Sequence, residues 1–212
     1  MNTLRIVSAA SIALAVAMAP YALSAQEAHH HHSMEGHSME GMEGMTMPVS
    51  GQSLYNLSGR WTDQDGHTVG LSSLAGQPVI LAMAYTSCKE MCPLTVESMH
   101  KIAQEWAKHS KAPVRLALFS FDSDRDTPAH LKEYAEARGM DPQQWTLFHG
   151  EPSSVRELAA TLGIGFRKQD NGDFDHGYAI ILLNRGGDIA YRQTGLSSNM
   201  DEWMDNLTKV SK

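Results

Sequence analysis

The chain has 212 residues, with 17 lysines and arginines against 24 aspartates and glutamates, a formal net charge of −7. That balance supplies no basic groove and argues against nucleic acid as a partner, while an acidic surface suits cationic metals and basic protein patches. Only two cysteines are present, so no disulfide framework can carry the fold.

At the N-terminus Arg5 precedes an uncharged apolar run from Ile6 to Ala19, followed by Pro20 and small residues. This pattern predicts a secretory signal over residues 1–25, cleaved after Ser24 or Ala25. The run falls short of the roughly 20 residues of a membrane span, and an uncleaved anchor is the alternative. With no cysteine near the cleavage region, a lipid-modified N-terminal cysteine is excluded. The expected location is an oxidising extracytoplasmic space, the periplasm, with membrane contact only if the leader is retained.

Residues 26–51 change composition sharply. They hold five histidines (His29 to His32 and His37) and five methionines (Met34, Met39, Met42, Met45, Met47) among Gly, Ser and Glu, in a loose H-S-M-E-G repeat. No aliphatic periodicity is available to build a core, so this segment is expected to be disordered in the free protein. Thioether sulfur selects Cu(I) and imidazole suits both copper oxidation states, which reads as a copper-gathering arm. A low-complexity linker, or in part an expression tag, is the competing reading.

Residues 52–212 are enough for one domain and alternate strand and helix signals. Leu54–Trp61 and His67–Leu71, around Asp65-Gly66, read as a hairpin. Pro78–Tyr85 is a continuous apolar strand of the kind buried in mid-sheet. A helix follows over Pro93–His109, with Leu94, Met99, Ile102 and Trp106 as inward positions. Val114–Phe121 is the next strand, and Thr127-Pro128 caps and opens a helix. Trp145–Phe148 is a short strand, and the helix Val155–Leu162 stops at Gly163. Tyr178–Leu183 and Ile189–Thr194 pair around Arg185-Gly186-Gly187, and a last helix spans about Asn199 to Val210. This order predicts an α/β thioredoxin-like fold, a central mixed sheet flanked by helices.

Both cysteines lie in Cys88-Lys89-Glu90-Met91-Cys92-Pro93, between the apolar strand and its helix. A helix N-terminus favours thiolate over thiol. Thiolates so placed do redox chemistry, bind a soft metal, or both. A structural disulfide closing so small a loop would contribute little stability. The three intervening residues put the sulfurs on one helical face with room for an ion. His176, in Phe174-Asp175-His176-Gly177, is expected in the loop that enters the following strand, where a thioredoxin has its cis-proline, and no proline occurs in this stretch. Two thiolates and one imidazole suit three-coordinate Cu(I), or Cu(II) with an added ligand. The other histidines of the domain (His67, His100, His109, His130, His149) read as surface residues.

Thr86-Ser87-Cys88-Lys89-Glu90-Met91-Cys92-Pro93, then Ser120-Phe121-Asp122-Ser123-Asp124-Arg125-Asp126-Thr127-Pro128, then Asp175-His176 follow the order and spacing of the Sco/SenC proteins, which this sequence resembles over residues 52–212. These are copper chaperones of cytochrome c oxidase assembly. The resemblance implies copper held by Cys88, Cys92 and His176, and reversible oxidation of the two cysteines in exchange with an oxidase subunit. It also implies supporting or partner-facing roles for Asp122 and Asp175. Lys89-Glu90 and Ser123 depart from the Pro-Asp and Pro of many relatives without removing a ligand. The partners implied are the copper-site subunit of a respiratory oxidase and other periplasmic copper carriers. Three functions compete: copper delivery to the oxidase, reduction of copper-site cysteines with metal incidental, and copper buffering in which the arm acts and the domain is a scaffold. A peroxidase fits least, since no set of residues activating a peroxidatic cysteine is evident.

Overall fold

The structure, a computed structural model, describes residues 51–195 and 199–212. The expected leader over 1–25, and the Met/His-rich segment up to residue 50, lie outside the described residues. Ser53 caps a 3-10 turn at Leu54–Asn56 by accepting the Tyr55 N–H. Strand β1 (Arg60–Asp63) then turns through Gly66, at φ 88°, into β2 (Thr68–Gly70). The first strand is therefore shorter than expected. The Ser53 cap bends the backbone at Leu54–Asn56, and a second 3-10 turn at Leu71–Leu74 ends the hairpin.

Strand β3 (Val79–Ala84) is buried at all six positions, as an apolar run in mid-sheet should be. Helix α1 (Met91–His109) leads from it to β4 (Arg115–Ser120), and α2 (Pro128–Ala137) leads on to β5 (Trp145–Gly150). Helix α3 (Pro152–Thr161) precedes a two-stranded hairpin of β6 (Phe166–Lys168) and β7 (Phe174–His176). Strands β8 (Ile180–Leu183) and β9 (Ile189–Gln193) and helix α4 (Met200–Val210) complete the described elements. The main sheet has seven strands in the order β2-β1-β5-β4-β3-β8-β9, parallel for β3, β4 and β5 and antiparallel outward from them. Helix α1 packs on β3 and α4, while α2 and α3 pack on β5, so the thioredoxin-like mixed sheet flanked by helices is present. No helix among the described residues is long and apolar enough to cross a membrane.

Two expectations need correction. Leu94 is 42% exposed, because α1 turns Cys92, Val96, Met99, Ile102 and Trp106 inward and leaves position 94 off that stripe. The segment ahead of β8, expected as a loop, is the β6–β7 hairpin. Its three-residue strands are too short to show a period, and its marker is the Asn171-Gly172 turn, with Gly172 at φ 84°.

The core next to β1 is aromatic. Trp61 meets Phe119 edge-on at 4.8 Å between centroids, and Phe119 stacks on Phe148 at 4.7 Å. Trp61 pairs across the sheet with Gly150, where an added Cβ would lie 2.5 Å from the indole ring. Gly150→Ala is expected to destabilise the fold by roughly 1–3 kcal/mol through overpacking, read as a lower denaturant midpoint at unchanged m-value.

Candidate metal centre

The chain leaves β3 through Tyr85 and Thr86, and the Cys88 N–H donates back to the Tyr85 carbonyl (3.3 Å). Glu90, at the N-cap of α1, offers no side-chain cap to the helix. The Cys88 sulfur fills that role by accepting the Cys92 N–H at 3.4 Å. Helix N–H groups converging on a sulfur stabilise its anion. Burial raises the Cys88 thiol, but hydrogen bonds from the backbone of Cys92, Glu90 and Met91 and from the Cys92 thiol outweigh it, and the net shift is downward. Cys92 is 1% exposed, and burial pushes its thiol well above the ordinary range. Both cysteines are free: Cys88 is half-buried and thiolate-prone, Cys92 is buried and protonated.

The β6–β7 hairpin delivers His176, paired in register with Phe166. Its Nδ1 lies 2.9 Å from the Gly177 carbonyl, which can only accept, so Nδ1 carries the proton and Nε2 keeps its lone pair. The ring leans against Phe121 (5.0 Å) and, edge-on, Tyr85 (6.0 Å). One ligand atom from each of Cys88, Cys92 and His176 lies within 4.8 Å of the others. Donors about 2.0–2.3 Å from a common ion sit roughly 3.5–4 Å apart, so a small contraction around a cation suffices. The three sequence candidates are thus brought together, with no cis peptide among the described residues. Cys88 and His176 line a cavity of about 550 Å³ between the Ser87–Met91 loop and the β6–β7 hairpin, with Cys92 buried behind them.

Two supporting residues escaped the sequence reading. Tyr85 accepts the Phe174 N–H (3.4 Å), tying the histidine hairpin to the end of β3, just ahead of the cysteine loop. Burial raises the Tyr85 phenol, which keeps its proton. Asp126, fully buried, accepts the Thr86 N–H (3.0 Å) and the hydroxyls of Thr86 and Ser120. A buried carboxylate is affordable only with such donors, and these bind the ends of β3 and β4 together. Neither carried a local signal: Tyr85 looks like the end of an apolar strand, and Asp126 is one of three acids in alternation.

Asp122 is 1% exposed and pairs with Arg125, whose guanidinium also donates to the Gly172 carbonyl at the hairpin turn. Asp122 therefore anchors the hairpin and does not line the cavity. Asp175 is exposed on the cavity wall, 3.6 Å from Arg167. Of the remaining histidines, His67 and His109 meet Asp63 and Glu105, and His100 meets Gln104. His149 donates to the Asp126 carbonyl and His130 approaches the Thr86 hydroxyl, so these two belong to the Asp126 surroundings.

Tyr85→Phe leaves the Phe174 N–H without its acceptor, so amide hydrogen exchange at Phe174 should quicken by about tenfold while the β3 amides keep their protection. Asp126→Ala strands the Thr86 and Ser120 donors and is expected to cost about 3 kcal/mol in denaturant unfolding.

Comparison with known proteins gives the same lineage by three routes. Residues 51–211 match the SCO1/SenC family model. The SCO1 protein homolog of Bacillus subtilis is 31% identical over 139 residues, 64% of this chain and 72% of that one. Bradyrhizobium japonicum ScoI, solved with copper bound, superposes with TM-score 0.60 at 26% identity, covering 72% of this chain and 96% of that one. A SCO1/SenC family lipoprotein from Bacillus anthracis superposes with TM-score 0.67 at 24% identity, covering 75% and 96%.

Proposed function

The chain belongs to the SCO1/SenC family, and from that membership we propose that it binds copper at Cys88, Cys92 and His176 and passes it to the copper-site subunit of a respiratory oxidase. The observation that carries this reading is the convergence of two sulfurs and an imidazole nitrogen within 4.8 Å. Two thiolates and one imidazole form a soft donor set that favours Cu(I) over hard divalent ions. The copper-bound ScoI of Bradyrhizobium japonicum supports the same cargo.

The residues divide the work. Cys88, capping α1 as a near-thiolate, offers the first bond to an arriving ion. Cys92 must give up its proton before it can serve as the second, and His176 closes the set with Nε2 while Gly177 holds its other nitrogen. The open cavity leaves a side from which an acceptor's thiolates can take over the cargo stepwise.

A second reading rests on the unequal cysteines. A half-buried, thiolate-prone Cys88 beside a buried, protonated Cys92 suits attack and resolution. In that reaction the Cys88 thiolate attacks a partner disulfide and expels one partner thiolate. Cys92, its proton passed to solvent, then attacks the Cys88 sulfur and expels the second, leaving Cys88 and Cys92 oxidised and the partner reduced. Residues 1–25 we read as an export signal to the periplasm, and residues 26–51 as a copper-collecting arm that supplies the domain or exchanges with other copper carriers. Buffering by that arm alone would leave the domain site dispensable.

The test is Cu(I) competition against a chromogenic chelator under reducing conditions. One tight equivalent is expected, lost in Cys88→Ser and Cys92→Ser and weakened at least about tenfold in His176→Ala. Deleting residues 26–50 should lower total stoichiometry and keep the tight site; loss of all binding would assign the copper to the arm. Because Cys92 enters protonated, Cu(I) binding releases at least one proton, and the apparent affinity should rise by at least about tenfold per pH unit near neutrality. A pH-independent affinity would contradict the dithiolate site.

A further inference from the structure

Among the described residues six positions are methionine, and five of them serve the hydrophobic core. Met83, Met99 and Met140 are buried in it, and Met200 and Met204 pack against it. Met91 does neither. It is the first residue of α1, half-buried, and it forms part of the wall of the same cavity that Cys88 and His176 line. It directly precedes Cys92, whose N–H donates to the Cys88 sulfur, and this fixes the residue beside the donor set. Methionine in a helix normally fills apolar gaps. Here the thioether is placed where no apolar gap requires it.

The rest of that wall offers a different chemistry. Glu90, Asp173 and Asp175 present carboxylates, Gln169 an amide and Lys89 a cation. Carboxylate and amide oxygens are hard donors, and a lysine ammonium is none at all. Beyond Cys88, Met91 is the one sulfur donor in the wall. A thioether has no proton to lose and brings no charge, so its bond to a soft ion is independent of pH and adds nothing to the negative charge of two thiolates. Three rotatable bonds let it approach and withdraw without moving the helix.

We propose that Met91 is a fourth, weak donor at the Cys88–Cys92–His176 site, one that holds Cu(I) in preference to Cu(II) and releases first when the cargo leaves. This rests on the copper reading above. The thioether selects by softness: it stabilises the reduced ion and contributes little to the oxidised one. It therefore raises the potential of bound copper and keeps the cargo reduced in an oxidising compartment. Met91 also marks the side of the site from which an incoming ligand would displace it.

The test uses the full chain at one equivalent of copper, wild type against Met91→Leu, a volume-conserving change that keeps the apolar bulk and removes the sulfur. Competition titrations should show Cu(I) bound about tenfold more weakly in Met91→Leu and Cu(II) changed by less than about twofold. In selenomethionine-labelled protein, copper-edge X-ray absorption should show a copper–selenium distance in the wild type that is absent in Met91→Leu. Equal Cu(I) affinities would overturn the proposal. So would a wild-type spectrum without selenium scattering, or selenium scattering that persists in Met91→Leu and so arises from another methionine. If the wild type itself holds no copper that Cys88→Ser removes, the copper reading fails and this proposal with it. Tight, cysteine-dependent binding that is indifferent to Met91→Leu would overturn the proposal alone.

Discussion

A buried carboxylate holds this site in place. Asp126 receives the N–H and hydroxyl of Thr86, just past β3, and the hydroxyl of Ser120, the last residue of β4. Left unpaired in the interior, that charge would cost several kcal/mol, so the three donors are compelled to converge on it. Convergence sets where the chain leaves both parallel strands. From the end of β3 it runs straight into the cysteine loop, and from the end of β4 into Phe121 and Asp122. Asp122 then fixes Arg125, which reaches the Gly172 carbonyl and pins the β6–β7 hairpin. One short run, Ser120 to Thr127, thus braces the thiols on one side and the histidine on the other.

Within that frame the two cysteines are made unequal by position alone. Cys88 precedes the helix and collects N–H groups that have no partner inside it. Cys92 is the second residue of the helix, on its inward stripe, where burial keeps the proton on. The same asymmetry serves metal capture and thiol exchange, and the two chemistries exclude each other at any moment, since a Cys88–Cys92 disulfide has no thiolate to offer. The redox state of the pair would therefore gate copper uptake, and a donor that favours the reduced ion would work with the gate.

Much of this was legible in the sequence. The run from Pro78 to Tyr85, followed by C-x-x-x-C and a proline, placed the thiols between a buried strand and a helix because continuous apolar residues of that length fit a central strand. His176 was found from its place ahead of the Tyr178–Leu183 run and from the family pattern. The hairpin that carries it was not, since strands of three residues leave no periodicity to detect. Asp126 was hidden for another reason. Asp122, Asp124 and Asp126 look alike in sequence, yet the first and last are buried and Asp124 meets Lys168 at the surface. Their partners separate their roles: Arg125 for Asp122, and for Asp126 the Ser120 hydroxyl and Thr86, forty residues away. Leu94 misled because the inward stripe of α1 is set by the whole helix and not by apolarity at one position.

The most direct measurement is a crystal structure of the reduced chain grown with Cu(I), with anomalous differences collected at the copper edge. A peak bounded by Cys88 Sγ, Cys92 Sγ and His176 Nε2 is the expected result. Copper located away from these three atoms, with the site empty in the same crystal, would contradict the assignment.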